Sequence, residues 1–132
     1  MRSAARELLA PRADVWAFLT EPYHLSDWWP GVLGVEPDRR GLAVDARWKV
    51  RFASHSLFLG RGIRETLLLV RAVEPYERWA WHLVSPPLDV DLRLQAAAPD
   101  RTVVTCTTSG RRRLPDRALE RLYDLVQTAA EL

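Results

Sequence analysis

The sequence predicts an α+β fold, and three observations carry that expectation. Two short helical segments stand near the N-terminus, a run of consecutive strand-like segments follows, and one long amphipathic helix closes the chain. Ala5 to Ala10 is a short apolar-rich stretch compatible with a strand or a helical turn, broken by Pro11. Proline suits a first helical turn, where its missing N–H costs nothing. From Arg12 to Thr20, Val15, Phe18 and Leu19 fall at i, i+3 and i+4 beside Trp16, the spacing of an amphipathic helix. Pro22 ends it, because the residue before a proline is pushed out of the helical region. A second helical piece runs from Tyr23 to Trp29 and stops at Pro30-Gly31.

The period then changes to two. Ala46, Trp48, Val50 and Phe52 alternate with Asp45, Arg47, Lys49 and Arg51, which makes one dry and one wet strand face. Gly60 and Gly62 are expected to flank a turn before a long strand from Ile63 to Val73. Within that strand Leu67-Leu68-Leu69-Val70 is continuous, so both of its faces are expected to be partly covered. Glu74-Pro75-Tyr76-Glu77 reads as a turn, and Arg78 to Val84 alternates with Trp79, Trp81 and Leu83 on one side. Leu88, Val90, Leu92 and Leu94 alternate with Asp89, Asp91, Arg93 and Gln95. Pro99-Asp100 is a hairpin turn, and Thr102 to Ser109 is a β-branched last strand. In the terminal helix Pro115 occupies the first turn, and Ala118, Leu119, Leu122, Leu125, Val126 and Ala129 form one stripe. Arg117, Glu120, Arg121, Asp124 and Glu131 lie largely off it. A sheet of six or seven strands twists and curls, and a helix laid in its concave face encloses space.

Ala10-Pro11, the Val15-Trp16 helix, Glu21-Pro22 and the Trp28-Trp29-Pro30-Gly31 turn together resemble the opening of SRPBCC proteins. These form the START-like superfamily of polyketide cyclase/dehydrase and lipid-transport proteins. The strand order and the long last helix extend the resemblance over nearly the whole chain, read as one domain over 1–132. The resemblance implies a helix-grip fold, in which a curved antiparallel sheet wraps around the C-terminal helix and leaves a cavity between them. It also implies that a cyclase of this kind would use an arginine and hydroxyls in its pocket, and no residue here matches them position by position.

The faces bearing Trp48, Val50 and Phe52, Trp79 and Trp81, and Leu92 are expected to wall that cavity. Leu122 and Val126 would roof it, with Trp28 or Trp29 at one end. Walls of this kind suit a hydrophobic or aromatic small molecule, since ligand pockets are mostly apolar with a few placed polar groups. Filled core is the alternative for each of these aromatics. Among polar residues, Glu65 and Arg71 share parity with Leu67 and Leu69 and are expected to face the cavity or its mouth, and Tyr123 borders the helix stripe. They are the catalytic candidates, set against a salt bridge at the sheet edge and a helix-margin tyrosine.

Composition narrows the function further. The net charge of +2 is too small to argue for nucleic acid, and eighteen of the nineteen basic residues are arginine, a pattern of GC-rich bacterial genomes. Arg111-Arg112-Arg113 reads as a solvated loop. No apolar run approaches the ~20 residues of a membrane span, the N-terminus is a poor signal peptide, and Cys106 is the only cysteine. A cytoplasmic bacterial protein is therefore expected. His24, His55 and His82 lack metal-ligand spacing, and no phosphate loop or nucleophile motif occurs, so no cofactor or metal is expected. Three readings remain: binding or transport of an apolar ligand, a polyketide cyclase or aromatase that orients a reactive chain, and an interaction domain with a collapsed cavity. An exposed edge strand would also allow a homodimer.

Overall fold

A computed structural model describes residues 1–56, 60–109 and 114–131, the side chains of 54–56, 60–61 and 128–131 excepted. The Arg111-Arg112-Arg113 triplet and the side chains of His55, Ala129 and Glu131 lie outside the described residues. The order is β1 (Arg2–Leu8), α1 (Arg12–Thr20), a 3₁₀ turn (Pro22–His24), α2 (Leu25–Trp28), β2 (Val32–Glu36), β3 (Arg47–Ser56) and β4 (Gly60–Glu74). It continues with β5 (Arg78–Leu83), β6 (Leu88–Ala98), β7 (Arg101–Thr108) and α3 (Leu114–Glu131). Ala5 to Ala10 thus belongs mainly to a strand. Pro11 precedes α1 instead of entering it, and its carbonyl accepts from the amides of Asp14 and Val15, both at 3.1 Å.

The seven strands form one antiparallel sheet in the order β1-β7-β6-β5-β4-β3-β2. β2 to β7 is a meander, and β1 returns beside β7, so β1 and β2 are the edges. Register shifts at Val32/Gly34, Val70/Ala72 and Ala96/Ala98 bend and twist the sheet. The turn expected at Gly60 and Gly62 is replaced by strand, since both glycines pair across to Ser56 and Ser54. β2 was not expected, because a five-residue segment containing Gly34 shows no clean alternation.

Register decides which residues face inward. Trp48 pairs with Leu68, Leu68 with Leu83 and Leu83 with Leu88, and the first three are at most 3% exposed. Thr66, Leu68 and Val70 are therefore the inner face of β4. The parity expected for Glu65 and Arg71 is corrected: both are exposed on the convex side. Glu65 lies opposite Arg51, and Arg71 is the extra residue of the bulge, beside a charged outer cleft that includes Asp38, Arg40 and Arg47. The continuous apolar run of β4 hid this, because either parity satisfies hydrophobicity there.

α3 lies on the concave side against β1, β7 and α2. Ala118, Leu119, Leu122 and Val126 are buried along its stripe. At its margin Asp116 meets Arg2 at 3.1 Å, and the Arg6 guanidinium sits 4.3 Å above the Tyr123 ring. Among the described residues no helix is long and apolar enough to cross a membrane.

Candidate functional site

Five tryptophans meet on the concave side. Trp48 and Trp79 have ring centroids 5.6 Å apart, and Trp79 and Trp81 6.1 Å. Trp81 and Trp29 lie edge-on at 5.1 Å, as do Trp29 and Trp28 at 5.6 Å. Each separation falls within the range of favourable aromatic contact. None of the five is more than 1% exposed. The expectation that Trp48, Trp79 and Trp81 wall an open cavity is therefore corrected: indoles on neighbouring strands reach one another and fill that space. Val50, Leu92 and Leu122, all fully buried, belong to the same packed interior.

The indole N–H groups separate these rings into two kinds. Trp48 Nε1 donates to the Gly41 carbonyl at 2.6 Å, so the β2–β3 connection is tied to the core. Trp28, Trp79 and Trp81 have fully buried Nε1 atoms with no protein acceptor. A buried unpaired donor costs about 1–3 kcal/mol, a penalty that phenylalanine at the same place would avoid. Thr108 Oγ1 is likewise buried and unpaired, two strands along from Trp81 with Val90 between them.

Open volume lies at the end of the sheet–helix interface. A pocket of about 290 Å³ is lined chiefly by Trp29, Phe52, Leu83, Leu88 and the first residue of α3, Leu114, with Arg64 alongside. Arg64 pairs with Phe52 across β3 and β4 and shares the inner parity of Thr66 and Leu68. It brings a guanidinium to an opening whose described residues are otherwise mainly apolar. The Pro30-Gly31 turn forms the rim, where Gly31 at φ +85° takes a conformation that side-chain-bearing residues rarely adopt. A second cleft of about 310 Å³ opens between α1 and α3, lined by Val15, Phe18 and Val126 among others.

Of the residues expected at the site, Phe52 lines the opening, as does Trp29, the alternative to Trp28 at its end, while Val126 borders the α1–α3 cleft. Trp28 does not line the opening but packs edge-on against Trp29, which does. Tyr123 is half-buried under Arg6 beside β1, and no ring or polar contact joins it to Glu65 or Arg71. Arg64 was missed, yet its signal was present: counting back by two from Leu68, once Trp48 sets the register, reaches it. Cys106 is buried, and desolvation, reinforced by Asp91 and Asp116, pushes its thiol up to about 12. It holds almost no thiolate at neutral pH, which makes it a packing residue.

No protein-family model and no curated protein sequence matches the chain. Its backbone is similar to solved structures. One is the di-domain ARO/CYC protein StfQ of the steffimycin biosynthetic pathway, with a TM-score of 0.71 and 18% identity over 99% of this chain. The chain spans only 44% of StfQ. A second is DynU16 of the dynemicin biosynthetic locus, with a TM-score of 0.64 and 19% identity over 96% of this chain and 47% of that one. A third, from Deinococcus radiodurans, matches end to end, with a TM-score of 0.69, 17% identity, and coverage of 98% of this chain and 97% of the other. The chain therefore shares its fold with these solved structures.

Proposed function

We propose that this helix-grip protein binds a hydrophobic or aromatic small molecule at the opening between the sheet and the start of α3. The observation that carries the reading is the pocket of about 290 Å³ formed by Trp29, Phe52, Leu83, Leu88 and Leu114. It is concave and mainly apolar, with one charged group among the described residues, Arg64, to orient a ligand, the usual makeup of a small-molecule site. Compared with the interior first expected, the binding place moves outward, because tryptophans occupy the centre.

Titration of planar apolar compounds against intrinsic fluorescence tests this reading, since a ligand against Trp29 alters its emission. Binding should weaken at least tenfold in Phe52→Asp, which puts a charge on the apolar wall. If a broad panel leaves the emission and the melting temperature of the native protein unmoved, the reading fails. The collapsed-cavity interaction domain, which the packed interior favours, then stands instead.

Arg64 favours a second reading, a cyclase or aromatase. Its guanidinium could hold a carbonyl oxygen of a reactive chain at the pocket rim, and orientation alone lowers the barrier of an intrinsically easy ring closure. Likeness to an ARO/CYC fold supports this class without deciding it. Incubation with a poly-ketone chain separates the two readings. Recovery of the unchanged compound favours binding, whereas a cyclised product lost in Arg64→Ala but not in Glu65→Ala favours catalysis.

A further inference from the structure

Three fully buried indole donors without acceptors, on rings linked in one aromatic series, are not accounted for by packing. Trp29 connects them to the opening. It lines the pocket and lies edge-on against both Trp28 and Trp81, with Trp79 one ring deeper. Trp29 also stands at the end of α2, directly before the Pro30-Gly31 turn. Its ring thus stands between the open pocket and the rings that carry two of the unpaired donors.

We infer that Trp29 is a gate, and that behind it the N–H groups of Trp28 and Trp81 form a subsite for a hydrogen-bond acceptor carried by a flat ligand. The inference rests on the opening being a ligand pocket. An indole nitrogen donates and does not accept, so these two rings select for a carbonyl or ether oxygen and give nothing back to a hydroxyl hydrogen. Burial makes the selection steep. A ligand that lacks the acceptor leaves the donors unpaired, and a site with unpaired buried groups rejects such an analogue far more strongly than a merely apolar site does. The aromatic walls accept the skeleton, and the indoles read the oxygen.

Fluorenone and fluorene test the inference, because they share one flat skeleton and differ by a carbonyl. The probe experiment follows the six indole N–H signals of the full chain by nitrogen-15 NMR, assigned with single Trp→Phe variants. Fluorenone should bind at least tenfold more tightly than fluorene and move the Trp28 and Trp81 signals downfield. Trp81→Phe keeps a ring but removes the donor. It should erase most of that preference, read as the ratio of the two compounds' affinities in the variant. Trp29→Ala should speed fluorenone association at least tenfold with the preference retained. Equal affinities of the two compounds, or stationary Trp28 and Trp81 signals under saturating fluorenone, overturn the subsite while the pocket reading stands. Unchanged association in Trp29→Ala overturns the gate. If neither compound binds the native chain or Trp29→Ala, the pocket reading falls with the inference.

Discussion

Trp48 and Trp79 touch each other, are equally buried, and differ in whether their N–H is satisfied. Trp48→Phe and Trp79→Phe remove the same volume, so the difference between them isolates the hydrogen bond. Trp48→Phe should be less stable than Trp79→Phe by about 1–2 kcal/mol in chemical denaturation, because it strands the Gly41 carbonyl. Equal losses would mean that the Gly41 bond contributes nothing. Asp38 supports the same connection. Its carboxylate accepts from the amides of Arg47 at 2.9 Å and Arg40 at 3.0 Å, and these bonds, led by Arg47, hold its pKa below the ordinary value. A lowered folded-state pKa stabilises above the unfolded value and is lost as pH falls through the folded one. The native chain should thus exceed Asp38→Asn in stability at neutral pH, and the gap should close only below about pH 4. A gap unchanged down to pH 2 would sink the assignment. The bonds from Trp48 to Gly41 and from Arg47 to Asp38 were not legible in the sequence, since each joins a side chain to a backbone group placed by the fold.

At the scale of elements, α3 depends on its apolar stripe more than on its charged margin. Leu122 is fully buried, and Leu122→Ala should cost about 2–5 kcal/mol. Arg6→Ala loses an exposed cation–π contact with Tyr123 and should cost less than about 1 kcal/mol. Thermal and urea unfolding of the two variants check the order, and a reversal would place the helix elsewhere. The stripe was readable because a helix repeats every 3.6 residues whatever it packs against. β3, β5 and β6 were readable for the corresponding reason, strict alternation. β2 was not, being short and interrupted by Gly34, and the face of β4 was not, because Leu67-Leu68-Leu69-Val70 is apolar at either parity.

For the molecule as a whole, a ligand held only by the native state raises its stability by mass action. At a hundred times Kd the gain is about 2.7 kcal/mol, enough for several degrees in Tm. A planar apolar ligand should produce that rise in the native chain and a much smaller one in Phe52→Asp. The same rise in both would place the ligand away from the pocket at the end of the sheet, for instance in the cleft between α1 and α3.

The sequence by itself determined the α+β class, the helices and most strands, and the inward faces of β3, β5, β6 and α3. Backbone geometry sets those periods locally, so they survive without knowledge of any neighbour. Tertiary structure alone decided that the tryptophans fill the centre, that Arg64 faces in while Glu65 and Arg71 face out, and that the opening lies beside Trp29 and Leu114. Volume, register and the pairing of a buried N–H are properties of what lies opposite a residue, and a linear pattern does not contain its own opposite.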